Sequence, residues 1–83
     1  MNVYLYYHCD AWKSFDSMRL QGVYATGIKG REKLAAQIKN DCLTGDIDLD
    51  NQDKVMDLVK RQNIDEVNNL MEYGFIACEK VEG

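Results

Sequence analysis

His8-Cys9-Asp10 places a base, a nucleophile and an acid side by side, the residue types from which nucleophilic catalysis is assembled. Their spacing works against it. Neighbouring residues of an extended strand project to opposite faces, so His8 is turned away from the Cys9 thiol. The pair reads instead as a surface histidine beside a core cysteine. Zinc fares no better, because Cys9, Cys42 and Cys78 form no C-x-x-C pair and His8 is the sole imidazole.

Carboxylates come next. Asp46, Asp48, Asp50 and Asp57 fall at positions 1, 3, 5 and 12 of a calcium-loop pattern. That pattern fails where it is strictest. Asn51 stands where the sharp turn wants Gly, Asp53 where an apolar residue belongs, and Asp57 where a longer Glu would chelate with both oxygens. An acidic, solvated connection held to the core by Ile47 and Leu49 is the simpler expectation, with no metal and no cofactor. Asp41, Asp46, Asp48, Asp50 and Asp53 also make a row of acids without an interposed base. Such a row can imitate a phosphate backbone and occupy the basic groove of a nucleic-acid-binding enzyme. Phosphate binding by the chain itself is not indicated, since Gly27-Ile28-Lys29-Gly30 lacks the P-loop spacing.

The stretch from Tyr7 to Leu20 is the richest. Trp12 and Phe15, framed by Lys13 and Arg19, have the composition of an interface hot spot. Asp10 and Ser14 suit an Asx-type turn. The competing expectation is that Trp12 folds back to plug the open end of the fold. Arg19 pairs with Asp16 or Asp10 in either version.

The elements that must position these residues follow from hydrophobic periodicity. Residues 2–9 alternate as a strand, with Val3, Leu5, Tyr7 and Cys9 expected on the core face. Residues 17–25 resume the alternation with Met18 and Leu20 inward, and Gly22 marks a point for a bulge. Leu34, Ala35, Ile38 and Cys42 recur at helical spacing within 31–43, closed by Thr44-Gly45. A second helix is expected over about 51–62 and a third from an Asn63 cap, before a last strand over 75–81. The order β-β-α-α-α-β predicts one α+β domain over 1–83, a three-stranded antiparallel sheet with helices on one face and the last strand beside the first.

Composition sets the outer bounds. Hydrophobic residues make up 46% of 83 residues, enough for one core. No run of 18 apolar residues occurs, and the N-terminus lacks the basic start of a signal peptide, so no membrane role is expected. Three widely spaced cysteines suit reduced, buried thiols in the cytoplasm. Residues 1–40 carry six basic side chains against three acidic, while 41–83 carry four against eleven. A dipolar surface of this kind steers partners, although net charge is negative and no DNA-reading motif is present, which disfavours direct nucleic-acid binding. Room for an enclosed substrate pocket is scarce, so an enzyme is not expected.

Cys9-Asp10-Ala11-Trp12-Lys13-Ser14 with Asp16-Ser17-Met18-Arg19-Leu20 is similar to a stretch in small uncharacterised proteins of phages and mobile elements, as is Leu70-Met71-Glu72-Tyr73-Gly74-Phe75. The resemblance covers about a quarter of the chain and brings no activity with it. It implies a small acidic binding protein that inhibits or modulates a host protein, such as a CRISPR or other defence nuclease, by occluding its surface. The alternatives are a homo-oligomeric accessory protein, using the tyrosine face and a free sheet edge, and a small metal- or nucleic-acid-binding regulator. On the first expectation the partner meets either Trp12, Lys13, Phe15 and Arg19 or the acidic row.

Overall fold

The computed structural model describes residues 1–81 of the chain. Strand β1 (Asn2–His8) is central, flanked by β2 (Arg19–Ala25) and β3 (Gly74–Lys80), both antiparallel to it. Helices α1 (Ile28–Thr44), α2 (Gln52–Lys60) and α3 (Ile64–Leu70) lie between β2 and β3 in the chain. They cover one face of the sheet. The α+β class, the element order and the placing of the last strand beside the first agree with the sequence.

The strand phase does not. Tyr4 and Tyr6 are buried against Leu34, Ile38, Val55, Val59, Val67 and Ile76. Val3, Leu5 and Tyr7 lie on the opposite, uncovered face, where none is fully buried. A tyrosine ring fills more of the space beneath a helical layer than Val or Leu does, and its hydroxyl needs a partner there. Tyr6 has found one in Asp41. Leu20 corrects the second strand in the same way: it faces outward and is 53% exposed. The pairing of β1 with β2 skips between Gly22 and Leu20, so the irregularity expected around Gly22 is present.

Local chemistry explains the helix ends. Helix α1 starts earlier than its periodicity suggests, with Gly27 at the cap, because Gly30 packs directly on the end of β2. A Cβ on Gly30 would lie 1.9 Å from the Ala25 carbonyl oxygen, too close for any other residue. At the far end Gly45 takes φ 85°, and its N–H returns to the last turn of the helix. Asn51 caps α2, its side-chain oxygen accepting from the Lys54 N–H at 3.1 Å. Asn63 occupies the cap position of α3 without a side-chain cap bond. Arg31 donates to the Lys60 carbonyl and ties the start of α1 to the end of α2.

The two outer strands differ. Asn68 of α3 donates to the Ile76 carbonyl and accepts from the Ile76 N–H, both at 2.8 Å. Its side chain thus stands in for a neighbouring strand and closes the β3 edge at that point. An unprotected edge invites pairing with another chain. Among the described residues no helix or side chain does the same for β2 beyond Gln21, which bonds the Arg19 carbonyl.

Candidate functional site

Between β1 and β2 the chain makes a loop held by its own short polar side chains. The Asp10 carboxylate accepts from the Ser14 N–H at 2.9 Å and from the Ser14 hydroxyl at 2.7 Å. Ser17 accepts from the Asp10 N–H at 3.0 Å and donates to the Ser14 carbonyl at 2.8 Å. The Ser14 amide and hydroxyl hold the Asp10 carboxyl below its ordinary range. A single 3-10 turn follows over Phe15–Ser17. At the outer corner Lys13 takes φ 54°, and its ammonium reaches the Asn68 carbonyl of α3. The loop is therefore fastened at both its base and its tip.

What it displays is apolar. Trp12 is 87% exposed and Phe15 92% exposed. The expectation that Trp12 plugs the end of the fold is overturned. Tyr6, fully buried, and His8 join the end of β1 to α1 through Asp41 instead. Arg19 forms no ion pair with Asp16 or Asp10. The ion pairs among the described residues are Lys54–Glu66 and Arg61–Asp57, and His8 Nε2 lies 2.8 Å from the Asp41 carboxylate.

Beside the loop lies the uncovered face of the sheet. Register places Tyr7, Leu20 and Phe75 in one row across the strands, Leu5, Val23 and Ala77 in the next, and Val3, Ala25 and Glu79 in the last. Among these strand residues Glu79 alone is charged. A groove of about 500 Å³ runs along this face, lined by Tyr7, Phe75 and Ala77 from the strands, with Lys13, Phe15 and Met18 from the loop and Glu79 at its far end. Phe15 and Met18 of the loop continue the apolar sheet face, and Trp12 is not among the residues that line the groove. The four loop residues singled out from the sequence do not all share it: Lys13 and Phe15 line the groove, while Arg19 opens onto a polar cleft with His8, Asp10, Asp16 and Asp46.

The acidic row is also divided. Asp41 is 4% exposed and cannot meet a partner. Its place on the apolar stripe of α1, three residues after Ile38, is the sequence signal that marks it as buried. The carboxylate accepts from the Tyr6 hydroxyl at 2.6 Å, His8 Nε2 at 2.8 Å and Gln37 Nε2 at 2.9 Å. Burial alone would raise the Asp41 carboxyl. The bonds from Tyr6, His8 and Gln37 outweigh it and hold the group below its ordinary range. Burial, and next the bond to Asp41, push the Tyr6 hydroxyl far above the usual phenol range. His8 is thus a strut between β1 and α1 rather than a free surface side chain.

Asp46, Asp48, Asp50 and Asp53 are exposed. Asp48 and Glu72 exchange backbone bonds of 3.1 and 3.0 Å, which pins the acidic connection beside the start of β3. Asp57 sits on α2 with its carboxylate 3.1 Å from Arg61, away from the calcium-loop arrangement. Among the described residues no group of three or more His, Cys, Asp or Glu side chains converges as a metal site. Cys9 and Cys42 are partly buried, and burial pushes both thiols up. Cys78 departs from the expected core thiol by being exposed.

These features define an α+β two-layer sandwich with one sheet face and one aromatic loop left bare. Comparison of the chain with protein-family models, with curated proteins and with solved structures finds no match.

Proposed function

We propose that this chain is a binding protein that acts by covering a surface of a protein partner, through the bare sheet face and the Trp12–Phe15 loop. One observation carries it: two large aromatic side chains are displayed almost fully to solvent by a loop fastened with four side-chain hydrogen bonds, next to an uncovered apolar sheet. A pre-ordered loop loses little conformational freedom on docking, and buried aromatics are the commonest interface anchors. No helix of the described residues is long and apolar enough to cross a membrane.

A second surface supports a narrower version. Asp46, Asp48 and Asp50 on the connection pinned by Glu72, and Asp53 in the first turn of α2, stay exposed after Asp41 is withdrawn. A basic groove, such as that of a defence nuclease, is the partner this row suits, in keeping with the phage resemblance. Such a contact weakens steeply with salt, whereas the apolar one does not.

Affinity capture from bacterial lysate separates the two. A partner lost with Trp12→Ala and with Phe15→Ala, retained at high salt and retained with Asp46, Asp48 and Asp50 changed to Asn, supports the sheet-and-loop surface. Both aromatics are exposed, so each substitution is expected to change stability by no more than about 0.5 kcal/mol. A partner lost only with the Asn variant, or only at high salt, transfers the role to the acidic row. Capture of nothing, not even a second copy, refutes both.

A further inference from the structure

We infer that the loop between β1 and β2 and the guard on the β3 edge form one conformational switch, joined at Asn68, so that drawing Lys13 off α3 opens the edge at Ile76. It holds whether or not a partner docks on the loop, because only bonds within the chain are involved.

The junction is a single residue with two roles. The Asn68 side chain brackets Ile76, accepting from its N–H and donating to its carbonyl, both at 2.8 Å. The Asn68 backbone carbonyl accepts from the Lys13 ammonium. That carbonyl has no partner within its own helix. Met71 returns its N–H to Val67 at 2.9 Å, but the next N–H, of Glu72, turns away to Asp48 at 3.0 Å. A carbonyl left over at a helix end is satisfied from outside, and a cation there also suits the macrodipole. Lys13 is that outside donor. Its backbone is committed to the contact, with φ 54°, a left-handed conformation that a non-glycine residue keeps only where its surroundings hold it. Burial holds the ammonium below its ordinary range, so the group is partly withdrawn from water rather than free on the surface. At the base of the loop the Cys9 N–H donates to the Tyr73 carbonyl at 2.9 Å. The loop therefore meets the α3–β3 segment at two points.

Helix α3 has little else to fix its last turn. It is seven residues long, its Asn63 cap makes no side-chain bond, and Val67 is its one buried residue. A helix this short takes its position from its contacts. The bracket on Ile76 tolerates little movement, since an N–H···O bond holds only between about 2.7 and 3.2 Å. A shift of roughly half an ångström in the last turn of α3 breaks it. The Ile76 N–H and carbonyl are then free at the place where an incoming extended strand would pair. Coupling of this kind is reciprocal, so freeing the edge loosens the loop.

Amide hydrogen exchange, followed by NMR on the whole chain, tests this at three places. These are the Ile76 N–H, the Ser14 N–H bonded to Asp10 within the loop, and the amides of β1, paired on both sides, which report general opening. Lys13→Met keeps the aliphatic stem and removes the donor. Exchange at Ile76 should rise about 10-fold or more, with the β1 amides unchanged. Asn68→Ala keeps the backbone carbonyl and removes the bracket, and should speed exchange at Ser14 by about 3-fold or more. Three results overturn the inference: an Ile76 rate indifferent to Lys13→Met, a rise shared equally by the β1 amides, and a Ser14 rate indifferent to Asn68→Ala.

Discussion

Asp41 is the residue on which the internal order of the fold most depends. It joins β1 to α1 by accepting from Tyr6 and His8, and its burial makes any loss costly. Asp41→Asn keeps the shape but places an amide N–H₂ against donors. A loss of about 2–3 kcal/mol in urea unfolding at neutral pH is expected. The pH dependence has a definite sign. Because the folded carboxyl titrates below its ordinary 3.8, its contribution is fully present above that value and is lost as pH falls through the lower folded value. The stability gap between wild type and Asp41→Asn should accordingly be constant near neutrality and narrow below about pH 4. A gap unchanged down to pH 3 would remove the charge from this account. The sequence pattern sets Asp41 off the apolar stripe with the exposed acids, although its spacing from Leu34 and Ile38 puts it on the buried face. Its partners were not legible, since they lie more than thirty residues away in the chain and only the tertiary fold joins them.

At the scale of the elements, the sheet has one guarded edge and one open face. Asn68 guards β3 through the two bonds to Ile76. Asn is a poor helix former, so its presence within α3 was a signal that its side chain had work elsewhere. Asn68→Ala should lower stability by about 1–2 kcal/mol and raise thioflavin-positive aggregation on partial unfolding, as the β3 edge is uncovered. An unchanged melting curve would show that the mimicry of a neighbouring strand is incidental. The open face was misassigned from the alternation of β1 for a physical reason. Period-two patterning shows that a strand has two faces but does not say which one lies inward when both are apolar. Val3, Leu5 and Tyr7 offered one hydrophobic face, Tyr4 and Tyr6 the other. Volume under the helices and the hydroxyl partner Asp41 decided between them. The loop shows the reverse balance. Its turn chemistry was readable from Asp10 and Ser14, whereas the exposure of Trp12 follows from how the folded loop projects and shows only in the structure.

The described residues form a two-layer sandwich with helices on one face of the sheet and none on the other. Its helical layer carries the exposed carboxylates of residues 46–53, and its sheet layer carries an almost uncharged, aromatic-rich surface. On the proposed docking role, the apolar side excludes water from a docked chain and the acidic side steers its approach. Replacement of Val23 by a photoreactive amino acid tests the central claim most directly, with Lys33 on the exposed side of α1 replaced in parallel. Irradiation in cell lysate should give a discrete cross-linked species from position 23 and none from position 33. Its mass would be twice that of the chain for a second copy, or that of the chain plus a captured protein. A species from position 33 alone, or from neither, would contradict the assignment of the sheet face as the docking surface.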